Sequence, residues 1–151
     1  MKILESKISE ELTSLIKKAA DFHGHLGPFL VIGVRMGSLA KKILNVNAGE
    51  GSKLRVTAWL PLLTPFSCII DGIQATTQCT IGNQKLKMEN SQTKIIVYFG
   101  LRNSHKALRI HVNPKIIKEL KNRYPEGASN EELAQEIASI PESQLFMIEK
   151  Q

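Results

Sequence analysis

Two histidines separated by one residue are the first candidates for chemistry in this sequence. His23 and His25 stand in the stretch DFHGHLGPFLVIG and are two of the four histidines in the chain. Side chains at i and i+2 of an extended segment point the same way, so the two imidazoles could converge on one ion. His25 also precedes a predicted helix N-terminus, whose positive end favours the neutral imidazole that metals bind. In the alternative interpretation, one histidine caps backbone groups and the other is exposed.

An aspartate and a cysteine further along the chain are the next candidates. Asp71 lies between isoleucines in CIIDGI, and a partly buried carboxylate needs a metal, an imidazole or backbone donors as its partner. It could orient a metal-bound histidine or act as a general base, or it could lie on the solvated face of a helix. Cys79 follows a predicted helix and precedes a turn at Gly82 and Asn83, so its thiolate could point into a cleft as a metal ligand or nucleophile. The alternative for Cys79, as for Cys68, is a small buried apolar side chain.

The N-terminal third of the chain predicts two helices that meet at these histidines. Ser9 is a plausible N-cap for a helix that ends near Asp21, and Pro28 suits the first turn of a second helix after a glycine-rich loop. Gly33 and Gly37 share one face of the second helix, which predicts close approach by another element or a second subunit. The apolar stripe of that helix consists of Ile32, Met36, Leu39 and Ile43.

The rest of the chain alternates between strand and helix patterns. KLRVTAWL, KIIVYFGL and ALRIHV read as strands, the second as a central strand that forms an antiparallel hairpin with the third. SCIIDGIQATTQC reads as a helix, and further helices are predicted from Pro114 to about Arg123 and from Asn130 to about Ala138. Residues 1–151 are therefore predicted to form a single α+β domain, with an antiparallel-containing sheet flanked by helices.

Composition narrows the class of protein. The chain has 42% hydrophobic and 23% charged residues and a formal charge of +6, with seven Lys or Arg and a single acid between Arg102 and Arg123. Nucleic-acid binding is the least favoured function because no aromatic residues are interleaved with that basic stretch. The N-terminus lacks the pattern of a signal peptide, and the apolar run 26–34 is too short to span a bilayer. We therefore expect a cytoplasmic protein with reduced cysteines and no membrane association.

Two motifs, in order, resemble a known family. FHGHLGPFLVIGVRMG resembles the opening signature FHGHxCPGxxxGxR of the FmdE-like family, which is named for the E component of formylmethanofuran dehydrogenase, and CIIDGIQATTQCTIGNQKL resembles its second signature. HKALRIHV is similar to a later strand of the same family. The resemblance implies an α+β core, commonly dimeric, with a cleft regarded as the metal or active site. Carried over, its residues are His23, His25, Asp71 and Cys79, with Gln74 and Thr80 nearby.

The sequence departs from the family signature at functional positions. Gly27 stands where the signature has a cysteine, and Phe29 where it has a glycine. Many members add a C-terminal zinc finger, which is not expected here because no cysteine follows Cys79. His23, His25 and Cys79 would supply three ligands to a divalent metal, zinc above all, which is the number found in catalytic zinc sites.

Two functions follow from the resemblance, and the residues leave open whether the protein is an enzyme. In the first, the protein is a metal-dependent enzyme or accessory subunit that acts on a small organic substrate of the formyl or one-carbon carrier type. The resemblance also implies that it is a homodimer. Asp71 and Cys79 would then be its catalytic residues. In the second, the protein binds a ligand without turnover or docks onto a molybdenum or tungsten oxidoreductase, and Gly27 records a lost activity.

Overall fold

The computed structural model describes residues 8–46 and 49–151. Its helices are α1 (Glu10–His23), α2 (Pro28–Ile43), α3 (Cys68–Thr77), α4 (Pro114–Arg123), α5 (Asn130–Ser139) and α6 (Glu142–Leu145). Its strands are β1 (Leu54–Leu60), β2 (Leu86–Asn90), β3 (Ile96–Leu101), β4 (Ala107–Val112) and β5 (Phe146–Lys150), and a short 3-10 helix at Gly51–Lys53 precedes β1.

The five strands form one mixed sheet in the order β2-β1-β3-β4-β5. β3 occupies the centre and forms the predicted antiparallel hairpin with β4. It also pairs antiparallel with β1, which the sequence patterns did not predict. β2 pairs parallel with β1, and α3 forms the crossover between them. The α+β class is confirmed, and the strands β2 and β5 at the two edges are additions that the sequence patterns did not predict.

One face of the sheet carries the core. Inward residues alternate along β1, where Leu54, Val56, Ala58 and Leu60 are buried and the residues between them are half-buried. The same alternation places Leu108, Ile110 and Val112 inward on β4. The apolar faces of α2, α3 and α5 join these strands in one continuous cluster. Burial of such side chains contributes about 1.5–3 kcal/mol each, which is the principal force that holds helices and sheet together.

α1 and α2 begin where the sequence predicts, and α1 ends two residues later than predicted. The Ser9 hydroxyl oxygen accepts a hydrogen bond from the Leu12 amide, and two glutamates occupy the first turn of α1. The helix continues past the predicted end near Asp21 to His23, and Gly24 terminates it at φ +102°, a left-handed conformation that glycine adopts without steric cost. Pro28 then begins α2 with Gly27 as N-cap, as predicted.

The glycines of α2 serve a close helix contact, which confirms the prediction of close approach by another element. A Cβ atom at Gly33 would lie 2.1 Å from the Ile69 carbonyl oxygen, and one at Gly37 would lie 2.0 Å from the Thr76 hydroxyl. Gly72 of α3 faces α2 in turn, where a Cβ would lie 2.3 Å from the Leu30 carbonyl oxygen. This contact holds α3, and Asp71 with it, against the start of α2.

Candidate functional site

The two candidate histidines lie side by side at the end of α1. The left-handed turn at Gly24 reverses the chain after His23, so the approach of the two rings comes from a helix cap rather than from the predicted extended segment. The ring centroids are 4.5 Å apart and the planes are tilted by 39°. The His23 side chain is only 12% exposed, whereas His25 is exposed. The two imidazoles are therefore neighbours, and their convergence on one metal ion stays a prediction.

Asp71 pairs with the more buried histidine. Its Oδ2 lies 2.6 Å from Nδ1 of His23, and its side chain is 33% exposed. The second carboxylate oxygen, Oδ1, accepts a hydrogen bond of 3.2 Å from the side-chain amide of Gln74. Gln74 in turn accepts a bond of 3.0 Å from the backbone N–H of Ile81. A continuous chain of hydrogen bonds therefore runs from the turn after α3 to the His23 ring, and it confirms that Asp71 has an imidazole partner.

This pairing determines which nitrogen of His23 is available. A carboxylate accepts hydrogen bonds, so the close contact requires that Nδ1 carries a proton. In the neutral ring Nε2 then presents a lone pair. That Nε2 atom is buried and has no hydrogen-bond partner among the described residues. A buried polar atom without a partner is uncommon in proteins, and such an atom at a cluster of polar side chains points to a ligand.

The position of the family cysteine faces the same site. A Cβ at Gly27 would lie 3.9 Å from Nε2 of His25 and 3.6 Å from the side-chain oxygen of Asn130, both ordinary contact distances. Gly27 has φ −154°, extended backbone that any residue adopts. A Cβ atom at this position therefore fits beside His25 without backbone strain.

Asn130 is a residue of the site that sequence reasoning missed. It is the first residue of α5, more than a hundred positions beyond His25, and no local pattern links the two. The N-terminus of α2 begins directly after Gly27, which lies near His25 and Asn130 and supplies no side-chain hydrogen bond to it. The first N–H groups of a helix lack intrahelical partners and carry partial positive charge, which favours a neutral imidazole or an anion nearby.

The structure places Cys79 in the core rather than in a cleft. Its side chain is fully buried, and its thiol donates a hydrogen bond of 3.3 Å to the Leu54 carbonyl. Burial raises the pKa of this thiol, against smaller opposing effects of Thr77 and nearby cations. Within residues 8–46 and 49–151, no three His, Cys, Asp or Glu side chains are grouped so that they could hold a metal ion. The structure thus brings His23, His25 and Asp71 together without Cys79, and the ligand and nucleophile roles of Cys79 stay predictions.

Cys68, predicted to be a core residue, is half-buried against the core, and the charge of Asp71 acts on its thiol. Burial raises the pKa of its thiol, and the negative charge of Asp71 raises it further. Burial likewise raises the pKa of Tyr124, with a smaller contribution from Cys68. Both groups are therefore neutral at pH 7 and add no charge to the surroundings of Asp71.

Comparison with known proteins agrees with the two sequence motifs. A relative from Archaeoglobus fulgidus, named as a probable S-adenosyl-L-methionine-binding protein, is 30% identical over 115 residues, which cover 76% of this chain. The aligned part is 31% of that relative's own length. Along the described part of the chain, none of the helices is both long enough and apolar enough to cross a membrane. The sequence model of the FmdE family, described as "Molybdenum formylmethanofuran dehydrogenase operon", matches residues 22–147, and the chain therefore belongs to the FmdE family.

Proposed function

We propose that this protein binds a divalent metal ion, with zinc as the best fit, through His23 and His25, and that a small organic substrate of the formyl or one-carbon carrier type binds there. The observation that carries the proposal is the unpartnered, buried Nε2 atom of His23, in a ring whose other nitrogen is bonded to Asp71. Metal-binding histidines in proteins commonly donate their second N–H to a carboxylate in this way.

The donor set suits zinc. Zinc prefers imidazole nitrogen among nitrogen and oxygen ligands, and His25 supplies a second ring beside the first. His23 and His25 would hold the ion and would leave other ligand positions for water and substrate. When bound, such an ion supplies a Lewis acid that polarises a carbonyl oxygen and acidifies a water molecule. The proposal does not require Cys79, whose thiol is buried and bonded to Leu54.

The other residues of the site position these groups. Asp71 keeps the proton on Nδ1 of His23, and Gln74 holds Asp71 in place through the bond to its Oδ1. Asn130 offers an amide donor and acceptor next to Gly27, suited to a polar substrate group. The N-terminus of α2, whose N-cap Gly27 supplies no side-chain hydrogen bond, favours negative charge on a bound substrate.

A second candidate function is ligand binding without catalysis. The name of the Archaeoglobus fulgidus relative favours S-adenosyl-L-methionine as that ligand, and the family description favours docking onto a molybdenum enzyme. Calorimetric titration with S-adenosyl-L-methionine in the presence of EDTA separates the candidates, because saturable binding without metal supports this second function. Sedimentation analysis of the same sample tests the homodimer that the resemblance implies.

Zinc titration by calorimetry tests the first proposal. We expect about one zinc ion per chain in the wild type, loss of binding in His25→Ala, and affinity about 10–100-fold weaker in Asp71→Asn, since a carboxylate that orients a ligand contributes on that order. Cys79→Ser should bind zinc as the wild type does. Thermal unfolding of each variant controls for folding. Stoichiometric binding that persists in a folded His25→Ala variant would refute the site.

Substitution of Gly27 provides a gain-of-function test. Gly27→Cys places a thiol beside Nε2 of His25, and Gly27→Ser is the matched control, with nearly the same shape and a much poorer zinc ligand. We expect Gly27→Cys to bind zinc about tenfold tighter or more than Gly27→Ser. Equal affinities in the two variants would show that Gly27 does not face the metal.

A further inference from the structure

A groove of about 530 Å³ lies at one end of the sheet, and none of the residues of the histidine site lines it. The connection from β1 to α3 forms one wall through Leu63 and Phe66, and α4 forms another through Ile117. Ile95 and Met147, next to or within strands β3 and β5, complete the apolar lining. The volume lies within the range of about 300–1,000 Å³ typical of small-molecule sites.

The groove exposes apolar side chains that the fold leaves uncovered. Leu63 is 58% exposed and Met147 is 55% exposed, and both are among the most exposed large apolar residues in the described part of the chain. They come from segments more than eighty residues apart, so their meeting in one groove is a tertiary feature. Exposed apolar surface that is gathered in a concave site is typical of a binding surface.

The rim of the groove is basic. Lys94, Lys118 and Lys121 line it, and none of the three forms an ion pair with another residue in ranges 8–46 and 49–151. The Nζ atom of Lys121 lies 5.0 Å from the centroid of the Phe66 ring, so the cation stands over the apolar wall. Lys118 and Lys121 are three positions apart on α4 and therefore share a face.

The described lining contains no aspartate or glutamate that could neutralise these lysines. His111 also lines the groove, and its ring is already paired with Glu149 on β5. The three lysines thus present uncompensated positive charge beside an apolar wall. That combination is complementary to a molecule with an apolar body and one anionic group.

We propose that this groove binds a small amphipathic carboxylate, such as a medium-chain acyl anion. The acyl chain lies against Leu63, Phe66, Ile117 and Met147, and the carboxylate lies between Lys118 and Lys121. The basic stretch before Arg123, which the histidine site does not use, thereby acquires a function as an anion-binding rim. This site is independent of the proposed metal site, and either can exist without the other.

Titration of the full chain with decanoate, followed by amide chemical shifts, tests the proposal. We expect saturable shifts confined to residues 61–66, 94–96 and 117–121 and to the start of β5, with weaker binding as salt concentration rises. Decanol, which keeps the chain and lacks the charge, should bind at least about fivefold more weakly. The double variant Lys118→Gln, Lys121→Gln should weaken decanoate binding by a similar factor and leave decanol binding unchanged.

The matched control is Lys17→Gln, Lys18→Gln on the exposed side of α1, which should bind decanoate as the wild type does. Equal binding of decanoate and decanol would overturn the proposal, because the lysines would then contribute nothing. Failure of decanoate to shift the groove residues would also overturn it. A concentration-dependent dimer that buries Leu63 and Met147 and excludes decanoate would also overturn the proposal. The groove would then be an interface between two copies of the chain.

Discussion

The contact between α2 and α3 yields a quantitative prediction for Gly33→Ala. An ideal Cβ at this position lies 2.1 Å from the Ile69 carbonyl oxygen and 2.9 Å from its carbon, and Gly72 of α3 lies directly opposite. Ordinary contacts begin at 3.4 Å, so the difference between 3.4 and 2.1 Å requires a displacement of about 1.3 Å. The obstacle is backbone in both helices, which cannot rotate away as a flexible side chain could.

The cost follows from two opposing effects. Overpacking a well-packed interior costs about 1–3 kcal/mol, and a clash with backbone belongs at the upper end of that range. Replacement of glycine by alanine within a helix returns about 1 kcal/mol through helix propensity. We therefore expect Gly33→Ala to lower the free energy of unfolding by about 2 kcal/mol. For a domain of this size that corresponds to a decrease in Tm of about 4–8 °C.

Urea and thermal unfolding, monitored by circular dichroism, measure the effect. Gly51→Ala is the matched control, because a Cβ at Gly51 meets no atom within 4 Å and its φ is not positive, so its stability should change by less than about 0.5 kcal/mol. A Gly33→Ala variant as stable as the wild type, or more stable, would refute the close backbone contact between α2 and α3.

Two further predictions concern buried polar groups. Because burial raises the pKa of both thiols, and Asp71 raises that of Cys68 further, we expect iodoacetamide at pH 7 to label Cys68 slowly and to leave Cys79 unmodified in the native protein. Asp71→Asn should speed labelling of Cys68 as measured by mass spectrometry, and rapid labelling of Cys79 would contradict its buried position. Arg35 donates hydrogen bonds of 2.8 and 2.6 Å to two carbonyl oxygens at the C-terminal end of α5. Arg35→Met should lower the free energy of unfolding by about 2 kcal/mol in urea, whereas the exposed Lys42→Met on the same helix should change it little, and equal stabilities would contradict this anchoring role.

Local patterns were sufficient to predict most elements. The alternation in KLRVTAWL corresponds to β1, and the apolar periodicity of SCIIDGIQATTQC corresponds to α3. Capping residues predicted the start of α1 at Ser9 and of α2 at Pro28, because a side-chain acceptor and a fixed φ act within one turn. These signals are local in origin, so they can be recognised without knowing which distant residues pack against each element.

The two edge strands were not predicted because their sequences carry little of the strand signal. β2 is only five residues long and buries only Leu86, and its other four residues are exposed, so the alternation of Leu86 and Met88 with charged residues is too short to mark a strand. β5 likewise buries only Phe146 fully, and its five residues follow a single short turn of helix. An edge strand is stabilised by backbone pairing with its neighbour, here β1 for β2 and β4 for β5. Backbone pairing leaves no pattern in the residue types, so the sequence does not predict it.

Residue types and motifs indicate which side chains could do chemistry, but which of them meet depends on how the chain folds. The HGH motif brings His23 and His25 together through a local glycine turn, so their proximity follows from neighbouring residues. Pairing of His23 with Asp71 spans 48 positions along the chain. It depends on the position of α3, which packs so closely against α2 that only glycine fits at position 33. Cys79 is buried in the core and bonded to Leu54, although its motif resembles a ligand position. Residue type and spacing act along the chain, whereas burial and partnership arise only when distant segments share one core.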